Sequence, residues 1–281
     1  MAGDYPDPRP EGGSSQPVSL PRGESWLLND LRRWLSAQPS TPAHLLEPFA
    51  GGGIVSLTAV AEGLVDRATL VELDDAVAAV WQTVLGGDVD ALTERISEYA
   101  LTSSSLRQLL NSEPRTREEL AFRTLVRNRV NRAGILAPGA GAMSAGLTSR
   151  WYPQTLVRRA QDIAALSERL AFTHGDGLAE LRAAGMQPDV VFIDPPYSAP
   201  GKGAGKRLYS HWMLDHEELF SLASQMRGDV LMTYDDTASV RTLAASFGFE
   251  VERVAMRNAH HRRMNELLIG RDLHWYRTAV R

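Results

Sequence analysis

The residues best equipped for chemistry lie together in Val190-Val191-Phe192-Ile193-Asp194-Pro195-Pro196-Tyr197. Four apolar, largely β-branched residues read as a short buried strand, and the acid and two prolines that follow cannot continue a ladder. Asp194 is therefore expected at the carboxyl end of a strand. Pro195 and Pro196 stiffen the turn and leave the carbonyls of Asp194 and Pro195 without local amide partners, while Tyr197 sets an aromatic ring just beyond the carboxylate. Carboxylate, carbonyl and ring together could hold a flat amine.

A second cluster lies upstream. His44 to Phe49 reads as a strand, Ala50-Gly51-Gly52-Gly53 as a turn, and Ile54 to about Glu62 as a helix, the layout in which backbone amides at a helix N-terminus approach a ligand closely. The next strand, Ala68 to Leu73, carries Glu72 near its carboxyl end, at about the 20-residue distance at which a dinucleotide-binding unit places the acid for the ribose hydroxyls. Alone, the pattern fits equally a tight turn with nothing bound. A nicotinamide-dinucleotide site is disfavoured by Ser56, which stands where that fingerprint has Gly or Ala, and no G-x-x-x-x-G-K-[ST] phosphate loop occurs.

These clusters need a scaffold, and the composition supplies one. Of 281 residues 43% are hydrophobic and 23% charged, enough for one large domain or a domain with an insert. The absence of cysteine excludes disulfides, thiolate metal sites and thiol nucleophiles. No basic start followed by an apolar core opens the chain, and no run of about 18 apolar residues occurs, so a cytoplasmic protein without membrane contact is expected. The net charge of −4 does not advertise a nucleic-acid binder, so local clusters must supply what the total does not.

In chain order, residues 1–20 are rich in Pro, Gly and Ser and are expected to be a disordered tail. Leu27, Leu31, Trp34 and Leu35 fall at helical spacing. Residues 86–150 interrupt the strand and helix alternation with helical patches at Val89 to Tyr99, Leu106 to Leu110 and Glu118 to Arg127, and are read as a helical insert. Residues 21–85 and 151–281 then form the catalytic domain. Gln154 to Leu170 predicts a helix and Ala171 to Thr173 a short strand running into Asp176 and Gly177, where the acid either caps the next helix or faces a ligand. Asp229 to Tyr234 reads as a strand, and Phe249 to Val254 with Glu266 to Gly270 as an antiparallel pair.

Two basic stretches stand out. Arg123, Arg127, Arg129 and Arg132 occur with no acid between them, either as a solvated helix face or as a phosphate-contacting surface. The Gly-rich loop after Tyr197 carries Lys202, Lys206 and Arg207 ahead of Tyr209, and reads either as a plain surface loop or as a grip on a phosphate backbone. His260 and His261 are too adjacent to suggest a metal site, and none is expected.

D-P-P-Y at Asp194 to Tyr197 resembles the catalytic motif of amino-group methyltransferases acting on adenine in nucleic acid. From about residue 44 to 270 the chain resembles the Dam-type (α-class) site-specific DNA adenine-N6 methyltransferases. The resemblance implies a Rossmann-like class I fold, a mixed α/β sheet of about seven strands with a helical insert, and S-adenosyl-L-methionine as cofactor. It implies that Phe49, Ala50, Gly51 and Gly53 line the methionine end, that Glu72 beside Leu73 holds the ribose, and that Asp176 with Gly177 takes the adenine amine. Asp194 then borders both cofactor and target: with Pro195, Pro196 and Tyr197 it grips a flipped adenine for direct in-line methyl transfer. The arginines of 123–132, the basic loop and Tyr209 are expected on DNA. The family's usual Gly-Gly-Lys segment is replaced here by Pro21-Arg22-Gly23-Glu24-Ser25. RNA or cytosine amines as targets, and a non-catalytic nucleic-acid-binding protein, are the competing expectations; a monomer is expected, either free-standing or companion to a restriction endonuclease.

Overall fold

The computed structural model describes residues 25–131, 146–184, 188–196, 214–257 and 263–279. The expected tail at 1–20, Arg132, Tyr197, the basic loop with Lys202, Lys206 and Arg207, and Tyr209 lie outside the described residues.

Strands β1 (His44–Glu47) and β4 (Val190–Ile193) run side by side, with Leu45 opposite Val190 and Leu46 opposite Val191. Both are short apolar runs buried on each face, as central parallel strands must be. From β1 the chain builds outward through α2 (Ile54–Ala61) to β2 (Arg67–Glu72) and later β3 (Leu170–His174). It then returns to the other side of β1 with β4, β5 (Asp229–Asp235) and the antiparallel strands β6 (Glu250–Arg257) and β7 (Arg263–Gly270). The strand order is β3-β2-β1-β4-β5-β7-β6, so the direction of winding reverses between β1 and β4. Open sheets bind ligands outside the carboxyl ends of the strands at such a reversal.

Alternation along the strands divides the core. Leu45, Phe192, Leu231 and Leu268 face one layer, and Leu46, Val191, Met232 and Ile269 face the other. The first layer is covered by α1 (Ser25–Ser36), α2 and α3 (Asp75–Leu85), the second by α8 (Gly177–Ala184), α9 (His216–Gln225) and α10 (Ala238–Ser246). The helical spacing in α1 holds: Leu27, Leu31, Trp34 and Leu35 are all buried, and Trp34 Nε1 donates to Asp229 Oδ2 at 2.8 Å, tying the helix to the foot of β5.

Among the described residues, four helices lie between α3 and β3: α4 (Val89–Glu98), α5 (Ser103–Asn111), α6 (Arg117–Val130) and α7 (Pro153–Ala164). Their buried residues, among them Leu92, Ile96, Phe122, Leu125 and Leu156, belong to the same apolar cluster as α1 to α3. This region is therefore packed into the core of the sheet domain. Helix α7 ends at Ala164, earlier than its apolar spacing predicts, because the next residues turn. Arg169 there donates to the carbonyls of Val65 and Asp66 at 2.8 Å each, and Leu170 already pairs with Ala68 in the sheet. A short terminal helix, α11 (His274–Ala279), closes the described chain.

One glycine is fixed by both conformation and space. Gly53, at the N-cap of α2, has φ +64°, and a Cβ there would stand 2.5 Å from Leu70 Cδ2 and 2.6 Å from Trp81. Left-handed strain and overpacking act together on any side chain. Gly53→Ala is expected to cost about 2–4 kcal/mol, read as a lower urea midpoint with an unchanged slope.

Candidate active site

On the β2 side of the reversal, the turn after β1 is held from three directions. Ala50 N donates to Val71 O at 2.9 Å, Gly51 N to Glu72 Oε2 at 3.0 Å, and Trp81 Nε1 to Gly51 O at 2.8 Å. The other Glu72 oxygen accepts from Asp74 N at 2.7 Å. Burial raises the Glu72 carboxyl above its usual range, and these backbone amides pull against that shift. Next to it Leu73 is 41% exposed, a large apolar side chain left in water beside a carboxylate. Leu73 and Glu72 together offer an apolar face and a polar hook, which suits a nucleoside.

Asp176 is exposed, and its Oδ1 accepts from Leu178 N at 3.0 Å, so the carboxylate caps α8. Gly177 is buried against the turn: a Cβ would lie 2.2 Å from Pro48 O and 2.8 Å from the Phe49 ring. The fold thus brings Phe49, Ala50, Gly51, Glu72, Leu73 and Gly177 to one edge, with Asp176 at the head of the helix that Gly177 opens. These residues fit a nucleoside-bearing cofactor.

On the other side, Asp194 stands immediately past β4 and its Oδ1 accepts from Thr233 Oγ1 at 2.6 Å. Pro195 beside it is buried. Across β1, Glu47 is 3% exposed and its Oε2 accepts from both the amide and the hydroxyl of Ser56 in α2. Burial, opposed by those two bonds and assisted by the charge of Asp194, pushes Glu47 up to about 8. Tyr234 is bonded to His216 at 3.0 Å, and burial with the charge of Asp194 raises its phenol. Glu266 on β7 is pushed up to about 8 by burial, then by Asp194 and Asp235. Glu47, Ser56, Thr233 and Glu266 were assigned no site role from the sequence. Glu47 had the same signal as Asp194, an acid closing an apolar run; Thr233 and Glu266 acquire meaning only through strand register.

The arginines of α6 separate by environment. Arg123 donates to the carbonyls of Ser112 at 2.9 Å and Leu110 at 3.2 Å, capping the end of α5. Arg127 is partly buried, with Asp74 and Arg123 among the charges that act on it. Arg129 is 6% exposed and is lowered to about 10 by burial, then by Arg159 and Arg150. Arg158 in turn acts on Arg159. This positive cluster lies beside Tyr152, which is 62% exposed at the start of α7. No group of acids, histidines or cysteines able to hold a metal occurs among the described residues, and none of their helices is long and apolar enough to cross a membrane.

A doubly wound sheet with a glycine turn and ribose-type acid on one side of its reversal, an acid-ended strand on the other and a closing antiparallel pair defines a class I S-adenosylmethionine-dependent methyltransferase. The model of the D12 class N6 adenine-specific DNA methyltransferases matches residues 25–258, and the chain belongs to that family. Its cofactor is S-adenosylmethionine. A search of curated protein sequences returns no match. Among solved structures, the chain is similar to a SAM-dependent methyltransferase from Agrobacterium tumefaciens, with a TM-score of 0.44 and 11% identity over 88% of this chain and 61% of that one. It is also similar to the rRNA methyltransferase aviRa from Streptomyces viridochromogenes, with a TM-score of 0.40 and 19% identity over 87% and 84%.

The buried acid of β1 makes stability depend on pH. Glu47 has a higher proton affinity folded than unfolded, so its contribution is complete below the ordinary glutamate range and is lost as pH rises to about 8. Glu47→Gln is therefore expected to equal wild type in stability near pH 4.5 and to exceed it by about 2–4 kcal/mol above pH 8, measured by denaturant titration across that interval.

Proposed function

We propose that this protein transfers a methyl group to the exocyclic amino nitrogen of an adenine swung out of DNA. The observation that carries the reading is Asp194, fixed by Thr233 at the end of β4 and separated from the cofactor turn only by the width of β1. The chain's contribution is to hold the amine. Asp194 accepts one N–H and the Pro195 carbonyl the other, which draws the nitrogen toward a tetrahedral shape with an available lone pair. The ring of Tyr197 stacks on the purine and offsets part of the cost of unstacking, about a few kcal/mol.

The cofactor supplies a sulfonium-bound methyl, which the nitrogen takes by direct displacement. As the N–C bond forms, positive charge grows on nitrogen, and Asp194 stabilises it. The same nitrogen becomes acidic and sheds its proton, so no strong base is needed. Positioning accounts for most of the rate gain. Removing the acid tests this: with Asp194→Ala, labelled methyl transfer to random-sequence DNA is expected to fall by more than about tenfold. Nucleoside mass spectrometry of wild-type product should show N6-methyladenine in DNA; methylated RNA or cytosine instead would redirect the assignment.

For the DNA contact, the reading extends from Arg127 and Arg129 to Arg150, Arg158, Arg159 and the exposed Tyr152. Arginines that repel one another at partial burial gain most from a polyanion, and an exposed ring beside them can stack on a sugar or base. The double substitution Arg158→Ala with Arg159→Ala is expected to reduce the slope of log affinity against log salt by about 1–2, with the strand-end chemistry intact.

A further inference from the structure

The antiparallel pair that closes the sheet extends past it. β5 and β7 pair as far as Asp235 and Glu266, whereas β6 and β7 continue for three further pairs: Ala255 with Asn265, Met256 with Met264 and Arg257 with Arg263. At about 3.4 Å per residue, this two-stranded ribbon runs about 10 Å beyond the last residue of β5. Ile193 pairs with Met232, which sets Asp194 at the level of Thr233. The Arg257 and Arg263 pair therefore stands about 17 Å above that level, with β7 two strand spacings, about 10 Å, to the side of β4.

The base of the ribbon is braced. Asp236, just past β5, accepts from Arg241 Nε of α10 at 2.8 Å and forms an ion pair with Arg253 of β6 at 2.9 Å. Lower down, Arg277 of α11 pairs with Glu250 and Glu252. Charge is graded along the same path: the acids of β6 lie at its foot, and from Arg253 to Asn265 the sequence holds four arginines, two histidines and no acid. Alternation places Arg253, Arg257, Arg263 and Asn265 on one face of the pair, and of these Arg253 and Asn265 are exposed. Arg257 and Arg263 sit directly opposite each other, an arrangement of like charges that opposes pairing. Two-stranded pairs are marginal by themselves, so this rung weakens the ribbon where it has least to spare. A polyanion against that face reverses the effect.

We propose that the β6 and β7 ribbon beyond Asp235 and Glu266 is a DNA-docking arm that enters a groove of the duplex beside the flipped adenine. The inference rests on the reading of DNA as substrate given above. A major groove about 12 Å wide admits a two-stranded ribbon, and arginine and asparagine are residue types that read base edges or hold phosphates. Position supports the same partner. Helices α6 and α7 pack on α3, which covers β2 and β3, so their arginines lie toward one end of the sheet, while the ribbon stands at the other. Strand β4, which ends in Asp194, is the middle strand of the seven. A duplex held by both basic regions crosses the carboxyl edge over that acid.

Binding of a random-sequence DNA duplex is measured against salt for wild type and for Arg257→Ala combined with Arg263→Ala. The double variant is expected to bind at least about tenfold more weakly at physiological salt, with the slope of log affinity against log salt reduced by about 1–2. Its affinity for S-adenosylmethionine is expected to stay within about twofold of wild type. Unchanged affinity and slope overturn the arm while leaving the substrate assignment standing; a wild type that binds structured RNA and no duplex DNA overturns both. A second measurement uses the absence of cysteine from the chain. Ala255→Cys on the ribbon and Ser246→Cys at the end of α10, near the foot of β6, each carry a single thiol-attached photocrosslinker. Crosslinks to duplex DNA are expected from position 255 and not from position 246. Equal yields from the two, or none from 255, overturn the proposal.

Discussion

The charge of Asp194 at the edge of the sheet is the constraint around which the rest is arranged. Its field raises the proton affinity of Glu47, Tyr234 and Glu266, each of which is already held back from ionising by burial. At an effective dielectric of about 20, two like charges about 6 Å apart repel by about 3 kcal/mol. That exceeds the net worth of most neutral hydrogen bonds, about 0.5–1.5 kcal/mol. A second carboxylate charge that close would therefore outweigh an ordinary neutral hydrogen bond.

The sheet topology is what gathers these acids. In parallel strands the carboxyl ends emerge on the same edge, so the acids closing the adjacent strands β1 and β4 reach that edge together, Asp194 two residues further out than Glu47. The antiparallel strand β7 reaches this edge with its beginning, which is why Glu266 arrives there from early in the strand while Gly270 meets Leu231 at the foot. At the reversal between β1 and β4 the described crossover helices depart to either side of the sheet. Gly177 closes the arrangement: packed on Pro48 and Phe49, it docks the start of α8 against the cofactor turn without a side chain to hold them apart.

Much of this was legible in the sequence because strand ends carry local signals. Asp194 is marked by an apolar run and two prolines, Glu72 by its distance from Gly51 and Gly53, and Asp176 by a glycine turn, and each is found at a strand's carboxyl end or just beyond it. The helical patches of 86–130 are helices, but periodicity does not say what an apolar face packs on. Phe122 and Leu125 join the core of the sheet domain instead of forming one of their own. Thr233 and Glu266 were illegible as site residues for a different reason. They lie in strands of ordinary apolar composition, and their nearness to Asp194 depends on the pairing Met232 with Ile193 and Glu266 with Asp235, which no local pattern encodes. The arginines illustrate the converse: Arg123 reads like its neighbours in sequence, yet three-dimensional packing commits it to the carbonyls of Leu110 and Ser112.

The distribution of charge then answers how a chain of net charge −4 can meet a polyanion. A phosphate backbone brought near an edge carrying Glu47, Glu72, Asp194, Asp235 and Glu266 faces repulsion from whichever of them are ionised. Burial lowers that number by keeping protons on Glu47 and Glu266 through neutral pH. The helices after β2 add the opposite sign close by, with Arg127 within the field of Asp74 beside the cofactor acid, and Arg129, Arg150, Arg158 and Arg159 further along. Screening limits such effects to about 8–10 Å at physiological salt, so proximity decides and the overall charge does not. The proton on Glu266 thus removes one negative charge from the edge that the proposed DNA must approach.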